Sequence, residues 1–222
     1  MFKALVIFCT LSLPHLALAQ NFDYESIISE GTVTTISFEA GFEQRHERQL
    51  KLHFTMDVPT NDGQLRLQSN FKQNDRVGSV RFLTPEGGIA ELVDIYTGTI
   101  PEGALETREE SLASLLQHQV VPGLGNFDDL NVLGARRSMV GPYNAVEVVA
   151  LYNSEGNGQV GLRVVGVFPP TGENILIYVS HTVLGVVTIP SVNDLPSTFA
   201  GHTLQSVHFS GTLMPDGTLV QF

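Results

Sequence analysis

The chain has 222 residues, of which 12 are lysine or arginine and 23 are aspartate or glutamate, so its formal net charge at pH 7 is −11. This acidic balance argues against nucleic acids and anionic membrane surfaces as partners, because their phosphates would repel it. The sequence contains 1 cysteine, which excludes an intrachain disulfide, and a chain of this length can bury a core that is stable without one.

The first residues have the pattern of a secretory signal peptide. Lys3 precedes an uncharged apolar run that ends in Ala17-Leu18-Ala19, and a basic start, an apolar centre and an Ala-x-Ala end are typical of cleaved signals. A membrane anchor is the alternative, but Pro14 and His15 interrupt the run short of the roughly 20 apolar residues that a membrane span needs. We therefore predict a signal peptide over residues 1–19, with cleavage near Ala19.

The predicted mature chain, residues 20–222, is expected to form a single globular α+β domain, because it has no internal repeat and no low-complexity linker. It contains no cysteine and no Asn-x-Ser/Thr glycosylation site. Both features favour a bacterial export route over a eukaryotic one. The expected location is therefore periplasmic or secreted, with no membrane span after the signal.

The first clear strand lies at residues 50–58, where apolar and polar side chains alternate with period two. The turn sequence Asn61-Asp62-Gly63 follows it, and Asp-Gly suits the positive φ angles of a tight hairpin. Residues 63–71 are therefore expected to return antiparallel to this strand, with Leu65 and Leu67 facing inward. A second hairpin is predicted from VGSVRFL and IAELVDIYT, which the turn residues 85–88 separate.

One segment breaks this pattern of strands. Leu112, Leu115 and Leu116 fall at helical spacing in TREESLASLLQHQVVPG. Thr107 and Glu110 have the spacing of a capping box at its start, and Pro122-Gly123 is expected to end it. We predict a helix over about residues 108–120, with one apolar stripe that packs on a sheet.

Strands resume at residues 144–153 and continue in the stretch 161–181, GLRVVGVFPPTGENILIYVSH. Its two runs are apolar on both faces, as expected for central strands covered by a helix on one side and by sheet or loop on the other. A short helix capped by Asp194, a strand in LQSVHFS and a hairpin around Pro215-Asp216-Gly217 complete the chain. The element order predicts an α+β fold, an antiparallel β-sheet covered by one main helix and a short C-terminal helix. An all-β sandwich is the alternative.

From about residue 50 to residue 210, the order of these elements resembles the PsbP-like α+β superfamily, which includes small periplasmic proteins of the DcrB type. The segments that carry the resemblance are the FTMDVP strand, the SLASLLQHQV helix, the 161–181 pair and LPSTFAGHTLQSVHF. The chain departs from the superfamily in having no tryptophan, a strand-like TVTTISFEA before the match and a hairpin after it. The resemblance implies a helix-covered antiparallel sheet and an accessory or partner-binding role, with no enzymatic site to transfer.

No motif for a catalytic or cofactor site appears in the sequence. It lacks the G-x-S-x-G elbow of hydrolases, the phosphate loop and the H-E-x-x-H zinc motif. NFDDLN, residues 126–131, lacks the alternating oxygen ligands of a calcium loop and is expected to be a polar loop. We predict no cofactor and no metal, since the spacing of the histidines at 46, 53, 118, 181, 202 and 208 does not assemble a set of zinc ligands.

Two basic clusters interrupt the acidic background. One cluster contains Arg45, His46, Arg48 and Lys51. The other is Arg136-Arg137, followed by Tyr143 in an expected turn. Because the planar guanidinium of arginine suits carboxylates and phosphates, Arg136, Arg137 and Tyr143 are predicted to contact a ligand or partner. Adjacent arginines on a strand point to opposite faces, so at most one of them would enter a shared pocket. The alternative is that these are solvated charges that balance nearby acids.

The sequence favours a non-enzymatic exported protein that binds a partner protein or a small apolar ligand between the helix and the sheet. A hydrolase or isomerase with residues scattered along the chain is the second hypothesis. It requires a histidine, a carboxylate and a hydroxyl within hydrogen-bonding distance. A structural surface module is the third.

Overall fold

The computed structural model describes residues 32–39, 42–43, 47–60, 65–68, 76–125 and 127–222. The predicted signal peptide, Arg45, His46 and the turn at residues 61–63 lie outside these described residues. The small sheet consists of β1 (Thr32–Ser37), β2 (Leu52–Thr60), β10 (His208–Leu213) and β11 (Leu219–Gln221), adjacent in that order. The large sheet consists of β3 (Leu65–Gln68), β4 (Arg76–Leu83), β5 (Ile89–Thr99), β6 (Asp128–Val140), β7 (Tyr143–Ser154), β8 (Gly158–Val167) and β9 (Asn174–Val183). Its spatial order is β3-β4-β5-β9-β8-β7-β6.

The small sheet packs on one face of the large sheet and the main helix packs on the other, so the predicted α+β class is confirmed. The period-two strand is confirmed as well. Its apolar side chains are buried in the core between the two sheets: Leu50, Leu52, Phe54, Met56 and Val58. This core therefore depends on one strand whose every second residue faces the large sheet.

The predicted pairing of β2 with the segment that follows it is wrong. β2 pairs with β1 on one side and with β10 on the other, while β3 pairs with β4 in the large sheet. Both hydrogen-bonding edges of β2 are therefore occupied by strands from distant parts of the chain. A return strand next in sequence has no free edge there and joins the other sheet.

The central position of the 161–181 pair is confirmed. β9 and β8 are the fourth and fifth strands of the seven-stranded sheet. Leu162, Val164 and Ile177 belong to the cluster under the helix, whereas Val165 and Leu176 belong to the core between the sheets. Alternate residues therefore serve two different cores, which is why both faces of these strands are apolar.

The main helix exists but starts earlier than predicted and is capped differently. It consists of α1 (Leu105–Leu115), a π-helical turn (Leu116–Val120) and α2 (Val121–Gly123). Ala104 is the N-cap residue and no side chain accepts a hydrogen bond there, so the predicted capping box of Thr107 and Glu110 does not form. The wider π-turn lies directly before Pro122, whose nitrogen cannot donate the next helical hydrogen bond.

The helix lies very close to the large sheet at Gly166. A Cβ atom at this position would come within 2.6 Å of the Leu112 side chain. Leu112 and Leu116 have no exposed surface, and together with Val121 they occupy the space above β7 and β8. Glycine at 166 therefore permits the contact that excludes solvent under the helix.

The C-terminal helical region is present, but Asp194 does not cap it. A 3₁₀ helix, Val192–Ser197, has Ser191 as its N-cap residue. It is followed by α3, Phe199–Gln205, which has Thr198 as its N-cap residue. The Thr198 hydroxyl accepts a 3.3 Å hydrogen bond from the Gly201 amide. The chain is extended at Thr198 (ψ 173°), so a new cap is needed there, after the 3₁₀ turn that contains Pro196.

Two local predictions near β6 need correction. β6 begins at Asp128, so only part of the expected polar loop at 126–131 is loop, and Asp129 has a φ of 53° at an irregular pairing. Tyr143 starts β7 instead of lying in a turn, because the turn consists of Gly141 and Pro142. The closing hairpin at residues 215–217 is confirmed, with Gly217 at a φ of 85°.

Candidate functional site

The two predicted arginines lie on β6, the edge strand of the large sheet, and point to opposite faces as expected. Arg137 lies on the helix side, where its Nε is 2.7 Å from Glu109 and a terminal nitrogen is 3.4 Å from Glu106. Arg136 lies on the other face and forms an ion pair with Glu147. Each arginine therefore has an acidic partner within the chain.

Glu147 connects Arg136 to a second, buried arginine. Its other carboxylate oxygen accepts a 2.8 Å hydrogen bond from Arg163, and both residues are 2% exposed. Burial opposes ionisation of Glu147, but the charge of Arg163 and the hydrogen bonds from both arginines outweigh it and lower its pKa. Arg136 thus serves as the solvent-facing member of a charge network that neutralises a buried acid.

Tyr143 lies between the sheets and does not join the arginines in a pocket. Its ring packs edge-on against Phe209 with a centroid separation of 4.7 Å, and its hydroxyl accepts a 3.4 Å hydrogen bond from the Phe209 amide. These contacts connect β7 to β10 across the core. Contact of a ligand or partner with Arg136, Arg137 and Tyr143 stays a prediction.

The space between the main helix and the sheet is mostly filled. A cavity of about 140 Å³ remains beside α1 and β6, and charged side chains, including Glu109, Glu110 and Arg137, line it. The close contact of Leu112 with Gly166 occupies the region where an apolar ligand would have to lie.

His181 is the histidine with the most unusual surroundings. Its Nδ1 lies 3.0 Å from the Tyr152 hydroxyl, and Phe127 packs against both rings. Burial, with a smaller contribution from Arg76, lowers the pKa of His181 to about 4. A neutral imidazole of such low basicity is a weak proton acceptor at neutral pH.

His53, Glu39 and Ser37 bring a histidine, a carboxylate and a hydroxyl near each other, but the His53 ring is 3.9 Å from Glu39, outside the hydrogen-bonding distance that the hydrolase hypothesis requires. Asp94 lies on the same sheet face as His181, but its carboxylate is ion-paired with Arg76 at 2.9 Å. His53 contacts a backbone carbonyl and, at 3.9 Å, Glu39. Within the described ranges, no group of three or more histidine, cysteine or acidic residues is arranged to hold a metal ion.

A cleft of about 460 Å³ opens between the two sheets at one end of the sandwich; we call it the end cleft. The small sheet contributes Leu50 and Lys51, which precede β2, and Leu213, which ends β10. The large sheet contributes the polar wall: Thr97, Thr99 and Asn174. Phe42, Arg48, Gln49 and Gly98 complete the lining. The volume lies in the range typical of small-molecule sites, which is about 300–1,000 Å³.

Hydrogen bonds hold the two walls of the end cleft together. The side-chain amide of Asn174 donates to the Thr212 hydroxyl and to the Leu213 carbonyl, each at 2.9 Å, and to the Lys51 carbonyl at 3.4 Å. The Leu213 amide donates to the same Lys51 carbonyl at 2.8 Å. The backbone of Lys51 is therefore fixed where this residue lines the cleft.

The sequence indicated only one side of this site. Arg48 and Lys51 belong to the first basic cluster of the sequence. Thr97, Thr99 and Asn174 carry no local signal, because nothing in the sequence shows that the ends of β5 and β9 lie opposite β2. Only the stacking of the two sheets brings these residues together.

A second cavity of about 290 Å³ adjoins the end cleft. It shares Lys51, Thr99, Asn174 and Leu213 with the cleft. It adds Glu173 and the apolar surfaces of Met214 and Pro215. The two cavities therefore form one groove: Arg48 lines only the end cleft, Glu173 lines only the second cavity, and Lys51 lines both.

None of the helices in the described part of the chain is long and apolar enough to cross a membrane.

No protein-family model matches this chain, and no curated protein sequence matches it. Its structure is similar to that of the PsbP protein (CyanoP) of Synechocystis, with a TM-score of 0.48 and 8% identity over 81% of this chain and 93% of that one. It is also similar to LpqN, a protein involved in cell envelope biogenesis of Mycobacterium tuberculosis, with a TM-score of 0.47 and 11% identity over 86% and 98% of the two chains. We infer no function from either, since fold does not determine function.

Proposed function

We propose that this protein is an exported, non-enzymatic binding protein that holds a small organic molecule in the end cleft. The observation that carries the proposal is the cleft itself, which combines an apolar floor at Leu50 with polar groups at Lys51, Thr97 and Asn174. Ligand sites typically pair apolar walls with a few polar groups that orient the ligand.

Two further features support this function. His181, whose pKa is lowered, contacts the Tyr152 hydroxyl, and the carboxylate of Asp94 is ion-paired with Arg76 and does not pair with this histidine. The signal pattern at residues 1–19 supports a protein that acts outside the cytoplasm, in the periplasm or after secretion. N-terminal sequencing of the exported protein tests the second point, and we expect the mature chain to begin at Gln20.

A variant that fills the cleft tests the binding function. We expect wild type to bind the dye 8-anilinonaphthalene-1-sulfonate saturably at one site, and Thr97→Trp to lose that site. Thr34→Trp, which places the same side chain at an exposed position on β1, is the matched control. Native mass spectrometry of protein from a periplasm should likewise show a retained small molecule on wild type and control only. Equal dye binding by Thr97→Trp and wild type, with both variants folded by circular dichroism, contradicts the proposal.

A partner protein is the second candidate, and edge strand β6 is the observation that favours it. Val132, Leu133 and Met139 on this strand are each at least 39% exposed, and an exposed strand edge can pair with a strand from another protein. A photo-crosslinking residue at position 133 should capture that partner in the cell envelope. Position 33, 51% exposed on edge strand β1, is the control. Equal labelling at both positions contradicts a specific contact at β6.

A further inference from the structure

We infer that the end cleft selects an organic anion with an apolar body, whose charged group lies against Lys51 and Arg48. The inference rests on the proposed function and adds the chemical class of the ligand. It is drawn from the distribution of charge along the groove, from the fixed position of Lys51 and from the apolar surface beyond it.

The charge at the cleft differs from the charge of the whole protein. The chain carries a net charge of −11, yet the described residues that line the end cleft include two cations, Arg48 and Lys51, and no carboxylate. Of the residues that the structure describes, Lys51 is the only lysine, and its ammonium forms no ion pair with any other described residue. A lysine that has no ion-pair partner among the described residues favours an anionic ligand.

The described arginines outside the cleft show the contrast. Arg76, Arg136, Arg137 and Arg163 each have a carboxylate partner within 4 Å. The Arg108 guanidinium donates to the Gly172 carbonyl and packs on the Phe168 ring. Arg48 packs on the Phe42 ring at 5.4 Å and lines the cleft. Arg76, Arg136, Arg137 and Arg163 are thus ion-paired within the protein, whereas the Lys51 ammonium has no ion-pair partner among the described residues.

The backbone of Lys51 is held in place before a ligand binds. Its carbonyl accepts hydrogen bonds from the Leu213 amide at 2.8 Å and from the Asn174 amide at 3.4 Å. The Cα position is therefore held relative to both sheets before a ligand arrives. A preorganised cation loses less freedom on binding than one on a flexible loop.

The second cavity gives the ligand a direction. Glu173 lies at that end of the groove, so a carboxylate head there would be repelled. Leu213 and Met214 provide apolar surface in the second cavity. The head therefore lies on the side of Arg48 and Lys51, and the apolar body lies along Leu213 towards Met214.

Three probes with the same tail and different head groups test the ligand class. Octanoate, octanol and octylammonium are titrated calorimetrically into the mature protein. We expect octanoate to bind about tenfold more tightly than octanol, as for a charge-assisted contact, and octylammonium to bind least. Lys51→Met keeps the apolar stem and should raise the octanoate Kd about tenfold without changing that of octanol. Lys51→Arg, which keeps the positive charge, is the control and should bind octanoate like wild type, whereas Glu173→Gln removes the repelling carboxylate and should not weaken octanoate binding.

The outcomes separate this inference from the proposed function. Octanol binding as tightly as octanoate, or no effect of Lys51→Met on octanoate, overturns the anion selectivity and leaves the cleft as a ligand site. Recovery of a neutral or cationic native ligand from the cleft does the same. Binding of octanoate that survives in Thr97→Trp, or no binding of any probe, overturns the proposed function as well.

Discussion

Glu91 and Thr182 lie opposite each other on β5 and β9, and the Thr182 hydroxyl donates a 2.9 Å hydrogen bond to the Glu91 carboxylate. The other carboxylate oxygen accepts a 3.2 Å hydrogen bond from the Ala200 amide of α3. Glu91 has no exposed surface. One buried acid therefore connects the large sheet to the first turn of the C-terminal helix.

The buried carboxyl group of Glu91 should make the stability of the protein depend on pH. Burial raises the pKa of Glu91 from 4.5, against hydrogen bonds from Thr198, Thr182 and backbone amides. The folded protein thus holds the proton more tightly than the unfolded chain, so the stabilisation is complete below pH 4.5 and is lost as the pH rises through the raised pKa. Glu91→Gln cannot ionise and should lack this loss. Urea unfolding of both proteins from about pH 4 to pH 8 measures the difference, and parallel profiles contradict it.

His181 predicts the opposite dependence at acidic pH. Its pKa falls from 6.5 to about 4 because of burial, so the folded protein resists protonation that the unfolded chain accepts. Stability is therefore lost as the pH falls below 6.5, by roughly 3 kcal/mol at the folded pKa of about 4. His181→Phe should lose less stability over this interval. Titration of the imidazole by NMR checks the cause, and a midpoint near 6.5 contradicts the prediction.

The contact of Leu112 with Gly166 predicts non-additive mutations. Gly166→Ala places a Cβ within 2.6 Å of the leucine and should cost about 1–3 kcal/mol, and Leu112→Ala should cost about 2–5 kcal/mol. The double variant should cost less than the sum, because the smaller side chain makes room for the new methyl group. Gly103→Ala is the control, since nothing lies within 4 Å of that Cβ. Additive costs in urea unfolding contradict close packing here.

Removing the buried Glu147 should cost much more stability than removing Arg136, its exposed partner. Glu147→Ala leaves the Arg163 charge buried and should cost about 3–5 kcal/mol. Arg136→Ala removes a side chain that is 52% exposed and should cost about 1 kcal/mol or less. Replacing both buried residues, with Glu147→Leu and Arg163→Met, should recover most of the loss. Equal unfolding midpoints for the two alanine variants contradict this assignment.

The Glu147–Arg163 pair should also affect how much stability the protein loses in acid. Because the pKa of Glu147 lies below its ordinary value of 4.5, its contribution is present above that pH and is lost as the pH falls through the lowered pKa. The Glu147→Leu, Arg163→Met double variant should therefore lose less stability than wild type on acidification below about pH 4.5. A larger loss in the double variant contradicts the lowered pKa.

Local periodicity predicted the elements whose side chains have one clear environment. The alternation at residues 50–58, the leucine spacing near Leu112 and the two-sided apolarity of the 161–181 pair each reflect how a segment meets its core. The opposite directions of Arg136 and Arg137 follow from the same period-two geometry. Caps were less predictable, because Thr107 and Asp194 match capping patterns and Ala104 and Thr198 occupy the cap positions instead.

The sequence by itself determined the strands with a clear apolar pattern, the main helix, its apolar stripe and the acidic charge, since these depend on neighbouring residues and on composition; it did not predict β6, which is mostly exposed. The tertiary structure alone decided that β2 pairs with β1 and β10, and that the strands divide into two stacked sheets. It also decided where the end cleft lies, because Lys51, Thr97 and Asn174 meet only when the strand ends converge. The physical reason is that strand pairing is chosen by burial over long sequence separations, and no local pattern records that choice.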